Sequence, residues 1–338
     1  MDDVRPGREH VLHLLAEPGE VRGQDGRCDQ VFGHGFRLLL MTGLPALGAQ
    51  DRALYPNRCA FSAPRRPTGP EEESPMISML LFLLAFLCIP GGASATDADR
   101  EARWAEQVQE TLVVGQAVWL EAGGRKVFAV LTPAESAPPH GGVVLVHGMG
   151  EHPDWNDVIH PLRLGLAERG WTTLSVQMPV LAADASPTDY APLIPESDPR
   201  LVAAVNDLRA RKLDPVILVA HSLGTNMAIA CLAQHPRLPL DGLVLIGTPR
   251  LQGKPPLDPL PLLARLTLPI LDLYGSRDFD FVRGTAAARR KAVHRGGNRH
   301  YRQVQIEGAD HYFRGLEDEL VTTVDAWLER VRRDKGRR

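Results

Sequence analysis

The segment Val219-Ala220-His221-Ser222-Leu223-Gly224 carries the strongest chemical signal in the sequence. A short apolar run leads into it, and an alanine-rich stretch typical of a helix begins at Thr225. A serine on a sharp turn from strand to helix needs small residues two positions to either side, because the backbones approach closely there. Ala220 and Gly224 meet that need. The pattern therefore predicts Ser222 as a nucleophile, and a simple helix N-cap is the alternative.

A serine hydroxyl is a weak nucleophile unless a base accepts its proton and a carboxylate orients that base. Two polar segments follow the serine in the order acid, then histidine: Gly275-Ser276-Arg277-Asp278 and Gly308-Ala309-Asp310-His311. Each comes directly after a predicted strand, and open α/β sheets carry their ligands at that edge. We therefore predict Asp278 as the acid, with Asp280 as the alternative, and His311 as the base.

An oxyanion formed at this serine needs two N–H donors, and we predict those of Leu223 and Met149. Met149 lies in His147-Gly148-Met149-Gly150, where glycines allow the backbone to face a reacting carbonyl. A plain glycine-rich turn is the alternative, whereas a phosphate-binding loop lacks the Lys-Ser or Lys-Thr that should follow. His221, next to the serine, is predicted to point away from the site in a structural role.

Polar and aromatic residues follow this loop and are predicted to lie near the mouth of the site. Glu151, His152 and Asp154 would suit a polar or cationic substrate group, but a capped helix entry explains Asp154 equally well. Trp155 and Tyr190 are candidates to line the substrate pocket, with ordinary packing as the alternative. No CxxC or HExxH pattern is present in the sequence, so neither a metal nor another cofactor is expected.

Short β-rich runs alternate with amphipathic stretches from about residue 112 onward. Strands are predicted at 112–120, 125–131 (a hairpin with the first), 142–147, 171–177, 215–220, 240–247, 270–274 and 301–306, and helices at 155–168, 199–212, 225–234 and 316–331. Proline-containing stretches at 182–198 and 252–268 are predicted to be loops or short caps over the site. Strict alternation implies one α/β domain, with a mostly parallel sheet and helices on both faces.

Residues 80–89 form the most apolar run of the chain and are followed by Ala93-Ser94-Ala95, a small-x-small cleavage signature. The run is too short to span about 30 Å of hydrocarbon as a helix. It predicts a signal peptide over residues 76–95, and a retained membrane anchor is the alternative. The domain itself is then expected at 96–338, in an exported chain.

Residues 1–75 are rich in arginine, glycine and proline and show no sustained apolar period. Our hypothesis is that translation begins at Met76 or Met79, and a genuine disordered leader is the alternative. The predicted exported chain keeps only Cys231 of the four cysteines, so it has no internal disulfide. Cys231 is expected to be a small buried apolar residue.

The composition is that of an ordinary globular protein, with 44% hydrophobic and 23% charged residues. A net charge of −3 gives no overall attraction to nucleic acid, so none is expected as a partner. The basic tail at 330–338 is predicted to be a solvated terminus. Membrane contact is predicted only through an uncleaved N-terminal segment, and the expected partner is a small-molecule or acyl-ester substrate.

The loop at 147–150, the turn around Ser222, Asp278 and His311 together resemble the α/β-hydrolase superfamily over about residues 112–331. More narrowly, Glu151-His152-Pro153-Asp154-Trp155 and the stretch 181–195 are similar to an uncharacterised family of bacterial exported α/β hydrolases. That resemblance implies a periplasmic location and no known substrate.

A serine hydrolase acting on an ester-type bond is the expected function, with carboxylesterase ahead of thioesterase, peptidase and lipase. Two alternatives stay open at this point. In the first alternative, the chain is a binding protein that keeps the fold without turnover, because fold alone does not establish function. In the second, it is a hydrolase of an envelope polymer that the polar residues at 151–154 would recognise.

Overall fold

The computed structural model describes residues 96–250 and 257–337. The predictions on the leader, on the start at Met76 or Met79, and on the signal peptide with its cleavage after Ala95 lie outside these residues. Part of the predicted loop at 252–268 lies outside them as well. Within the described ranges, no helix is both long and apolar enough to cross a membrane.

Eight strands form one sheet in the order β1-β2-β4-β3-β5-β6-β7-β8. Their bounds are β1 Gln116–Ala122, β2 Arg125–Thr132, β3 Gly141–Val146, β4 Trp171–Val176, β5 Val216–His221, β6 Gly242–Ile246, β7 Ile270–Gly275 and β8 Tyr301–Ile306. β2 pairs antiparallel with β1 and β4, and every other neighbouring pair is parallel. The carboxyl ends of β3, β5, β6, β7 and β8 therefore meet at one edge of the sheet.

Helices cover both faces of the sheet. They are α1 Ala98–Thr111, α2 Ile159–Glu168, α3 Asp198–Ala210, α4 Leu223–Gln234, α5 Leu260–Leu263, α6 Asp280–Arg283, α7 Ala286–Arg295 and α8 Glu317–Gly336. Alternate residues of the central strands face opposite layers: Val144 packs in the cluster that includes α3 and α4, and Val143 packs with α2 and α8. The predicted fold class, a single mostly parallel α/β sheet between helices, is confirmed.

Several local predictions were wrong. Residues 112–115 are not strand, because α1 ends at Thr111 and β1 begins only at Gln116. α2 begins four residues later than predicted, since Trp155 accepts a hydrogen bond from His160 N in a preceding turn. α1 and α7 were missed because neither buries an apolar stripe: α1 buries only Ala105 and Val108, and α7 buries Ala286, Arg289 and Val293.

The stretch at 182–198 holds two short 3-10 helices, Pro187–Leu193 and Pro195–Ser197, in agreement with the prediction of a loop or short cap. Cys231 is a free, buried residue of α4, as predicted. The described residues include no group of histidine, cysteine and acidic side chains arranged to hold a metal ion.

Candidate active site

Ser222 occupies a strained turn between β5 and α4. Its backbone has φ 51° and ψ −125°, a conformation that residues other than glycine rarely adopt. The turn is held by the Ser222 N–H, which donates to Ile246 O at 2.8 Å. Gly224 is required for a different reason, because a Cβ there would lie 2.5 Å from His147 O. The serine hydroxyl is thus presented at the carboxyl edge of the sheet by a backbone that cannot relax.

Three predicted side chains form one hydrogen-bonded chain at this edge. His311 Nε2 lies 2.9 Å from Ser222 Oγ, and His311 Nδ1 lies 2.7 Å from Asp278 Oδ1. Asp278 and His311 are both buried. The alternative acid, Asp280, is almost fully exposed and pairs with Arg283 at 2.6 Å instead. The structure therefore brings Ser222, His311 and Asp278 together and leaves Asp280 outside.

A glycine from a third strand makes room for this pair. Gly247 follows β6 with φ +62°, and a Cβ there would lie 2.9 Å from His311 Cε1 and 3.3 Å from Asp278 Oδ2. Any side chain at this position would press on both His311 and Asp278.

The loop that carries the acid rests on a buried ion pair. Arg289 and Asp272 are both fully buried, and the guanidinium binds both carboxylate oxygens at 2.8 and 3.1 Å. Arg289 also donates to Thr248 O at 3.2 Å and to Val282 O at 2.9 Å. It therefore joins the loop after β6 to the segment that follows the acid. Sequence reasoning missed this pair, because the two residues are 17 positions apart and form no local motif.

The predicted oxyanion donors lie in segments that pack against each other. The Leu223 N–H opens α4, and the loop of Met149 approaches the same turn, since His147 O is the atom that a Cβ on Gly224 would strike. Neither N–H donates a hydrogen bond to an acceptor within the described residues. The Gly148 N–H, in contrast, is taken by Glu151 Oε2 at 2.7 Å. Of the loop N–H groups, that of Met149 is thus available for an oxyanion and that of Gly148 is not.

Glu151 is not a mouth residue, and the prediction that it meets substrate is corrected. Its carboxylate is buried beneath the loop, 3.6 Å from His221 Nδ1. Burial opposes the charge of Glu151, yet the neighbouring His221 holds its pKa below the ordinary value. Burial likewise works against protonation of His221, but the Glu151 carboxylate raises the pKa of His221 overall. The result is a buried ion pair directly behind the nucleophile turn.

His221 does not point away from the site, contrary to prediction. Its ring centroid lies 4.9 Å from that of His311, and its Nε2 donates to His311 O at 3.1 Å. His221 therefore supports the loop of the base from the buried side.

The remaining mouth candidates are engaged in packing. Asp154 bonds His160 Nδ1 and Arg163 Nε, each at 2.8 Å, so it neither faces substrate nor caps a helix backbone. Trp155 packs edge-on against His152, which in turn meets Trp104 of α1.

Tyr190 belongs to the apolar core with only 2% of its surface exposed, and its hydroxyl accepts a hydrogen bond from Leu181 N. The prediction that Tyr190 lines the pocket is therefore corrected to packing, because its surface is already covered by the protein.

α1 supports the loop at 147–150 from a distant part of the chain. Arg100 donates to Leu181 O and, at 3.4 Å, to Gly150 O, while its guanidinium stacks on Trp104 at 4.3 Å. No sequence pattern marks this contact, since α1 is too polar to be recognised as a core helix.

A comparison with known protein families identifies the family of this chain. The model of the family described as "Protein of unknown function (DUF3530)" matches residues 79–199 and 195–330. The chain belongs to this family. The similarity to an uncharacterised family that the sequence indicated is thereby confirmed, whereas export of this DUF3530 chain stays a prediction. A search of the curated proteins finds no match.

Solved structures of low sequence identity share the fold of this DUF3530 chain. Est1E from Butyrivibrio proteoclasticus is 18% identical with a TM-score of 0.50, over 64% of this chain and 98% of its own. The same protein with ferulic acid bound is 17% identical with a TM-score of 0.51, over 63% and 98%. A Mycobacterium tuberculosis puromycin-hydrolyzing peptidase is 19% identical with a TM-score of 0.51, over 64% and 39%. The α/β-hydrolase fold is confirmed by these likenesses.

Proposed function

We propose that this DUF3530 chain is a serine hydrolase that cleaves carboxylic esters. The observation that carries the proposal is the continuous hydrogen-bonded chain from Ser222 through His311 to Asp278 at the carboxyl edge of the sheet. Such a chain converts a weakly nucleophilic hydroxyl into an attacking group.

The proposed reaction uses only groups of the chain itself. His311 accepts the proton of Ser222 as Oγ attacks the ester carbonyl, and Asp278 stabilises the imidazolium that forms. The N–H groups of Leu223 and Met149 donate to the oxyanion. His311 then gives its proton to the departing alcohol oxygen, and water hydrolyses the acyl-enzyme by the same steps in reverse order.

Two neighbours support acyl chemistry on this scaffold. Est1E is known with ferulic acid bound, and the mycobacterial relative in fold is a puromycin-hydrolyzing peptidase. The polymer-hydrolase alternative loses its support, because Glu151 is buried and Asp154 is bonded to His160 and Arg163. Export, with cleavage after Ala95, is part of the proposal and rests on the sequence of residues 76–95, whereas the periplasmic location rests on the family resemblance.

Labelling with a fluorophosphonate probe tests this proposal on the purified full chain. We expect the wild type to label, and Ser222→Ala and His311→Ala to remain unlabelled. Asp278→Asn should label roughly 10³- to 10⁴-fold more slowly, because the imidazole loses its orienting carboxylate. Asp280→Asn is the matched control and should label at the wild-type rate. Folded wild-type protein that stays unlabelled would favour a binding protein without turnover.

A further inference from the structure

A row of aromatic side chains crosses the surface beside the base. Phe279 lies 4.6 Å from the His311 ring, and Phe281 stacks on Phe279 at 5.1 Å with an angle of 24° between the rings. Tyr312 meets His311 edge-on at 5.2 Å. Phe279 and Phe281 are each 43% exposed, among the most exposed large apolar side chains of the described residues.

The two exposed phenylalanine rings are adjacent, and the first of them is held by the site itself. Single exposed apolar residues are ordinary, but adjacent ones mark binding surfaces. The Phe279 N–H donates to Asp278 Oδ1 at 2.7 Å, the same oxygen that accepts from His311. The first ring of the row is therefore positioned by the hydrogen bonds that position the acid. An apolar face built into the triad in this way faces whatever the triad acts on.

The chemistry of the base decides which part of a substrate lies along the row. His311 Nε2 must reach the departing oxygen to protonate it, so the departing group lies beside the imidazole. The oxyanion donors belong to the loop after β3 and to α4, on the other side of the nucleophile. The aromatic row, carried by the loops after β7 and β8, therefore borders the departing alcohol and not the oxyanion.

We propose that Phe279, Phe281 and Tyr312 form a binding site for a planar aromatic alcohol group, so that the preferred substrates are esters of arylalkyl alcohols. This inference rests on the proposed ester hydrolysis for its assignment to the departing group. The nearly parallel faces of Phe279 and Phe281 favour a flat ring, because offset stacking is lost when the ligand ring is puckered. The outer rim is charged, where Arg314 lies over Tyr312 and pairs with Asp157.

Two series of esters distinguish a site for the departing alcohol from a pocket for the acyl group. Acetates of 2-naphthylmethanol, cyclohexylmethanol and ethanol vary the departing alcohol with little change in its acidity. Ethyl esters of acetic, butanoic and 3-phenylpropanoic acid vary the acyl group alone. We expect the wild type to prefer the naphthylmethyl over the cyclohexylmethyl ester by about tenfold in kcat/KM. A preference that follows only the acyl series would overturn the inference.

Phe281 is the position to vary, because it belongs to the row without contacting His311 in the way Phe279 does. Phe281→Ala should lower kcat/KM for the naphthylmethyl ester about tenfold more than for ethyl acetate and so remove the preference, whereas Phe281→Tyr should retain it. Trp119→Ala is the matched control: this indole is half exposed on β1, at the opposite end of the sheet. An equal loss on every ester in Phe281→Ala would overturn the inference in favour of a general structural role.

Binding of the free alcohol keeps the test independent of turnover. Titration of 2-naphthylmethanol into Ser222→Ala protein, followed by calorimetry, should give a Kd that the added Phe281→Ala change weakens about tenfold. If alcohol binding depends on Phe281 but the wild type neither labels nor hydrolyses esters, the hydrolase proposal is overturned and the aromatic site is supported. If the wild type labels with fluorophosphonate but alcohol binding does not depend on Phe281, the aromatic site alone is overturned.

Discussion

His147 and His221 lie side by side at the ends of β3 and β5, where the last paired residues are Val146 and Ala220. Both imidazoles are buried, yet their surroundings differ in kind. His147 Nε2 accepts from Met178 N at 2.8 Å, which requires an unprotonated nitrogen. His221 Nε2 donates to His311 O, and its Nδ1 faces the carboxylate of Glu151. Burial alone therefore does not set the charge of a histidine; the atoms facing its two nitrogens do.

The pKa values of the two groups follow this difference. Burial lowers the pKa of His147 to about 4, and the more distant influence of Glu151 offsets this only in part. For His221 the effect of burial is outweighed by Glu151, with smaller contributions from the His311 carbonyl and Asp278, so its pKa is raised. The His147 imidazole, whose pKa is lowered, accepts from the backbone N–H of Met178, and the His221 imidazole, whose pKa is raised, donates to the backbone carbonyl of His311.

Removing the carboxylate of Glu151 should have the largest effect on the stability of the fold. Glu151→Gln keeps an acceptor for the Gly148 N–H but leaves His221 without its counter-charge. We expect the free energy of unfolding to fall by about 3 kcal/mol at pH 6, as for other broken buried ion pairs. Urea denaturation checks this, with the exposed Glu168→Gln as control at under about 0.5 kcal/mol. A variant as stable as wild type would show that His221 is neutral in the fold, and the contrast with His147 would disappear.

His147 should make stability depend on pH in the acid range. Because its folded pKa is lowered, the unfolded chain binds the proton first, so stability is lost as pH falls from about 6.5 towards 4. His147→Gln cannot titrate there. Between pH 7.5 and 5, wild type should therefore lose about 2 kcal/mol more of its unfolding free energy than the variant. Parallel pH profiles of the two proteins would contradict a neutral His147.

The contribution of His221 to stability should depend on pH with the opposite sign, and its effect should be the smallest of the three. Its folded pKa is raised, so its contribution is complete below the unfolded value of about 6.5 and is lost as pH rises through the folded value. His221→Gln can still donate to His311 O. We expect it to be less stable than wild type at pH 6, by less than Glu151→Gln because Glu151 keeps the Gly148 N–H, with the gap closing at pH 9. A gap that widens with pH would reverse the assignment of charge between the two histidines.

The side chains of the candidate site could be predicted because each lies in a short segment at the end of a strand. Ser222 sits between small residues, and Asp278 and His311 follow the next strands in the expected order. Alternation of strands and helices gave the parallel sheet, and a parallel sheet brings such segments to one edge. The structure adds the distances that join Ser222, His311 and Asp278.

The supporting contacts could not be read from the sequence, since each joins distant segments that share no pattern. Glu151 resembled a mouth residue because it follows an exposed-looking loop, and only the fold shows it turned inward to Gly148 and His221. Arg289 of α7 reaches Asp272 of β7 from 17 positions away in sequence, and α7 lacks the apolar stripe that would have predicted it. Burial in such cases follows from tertiary contacts rather than from local sequence.

Gly247 places a requirement on a position that contributes no reacting atom. One added methyl group there would lie 3.0 Å from His311 Nδ1 and 3.3 Å from Asp278 Oδ2, at a backbone φ of +62°. A natural variant with alanine at 247 would still carry Ser222, Asp278 and His311 in its sequence. A survey of relatives that counts only those three residues would overlook this steric requirement, so position 247 belongs in any sequence test of the proposed activity in this family.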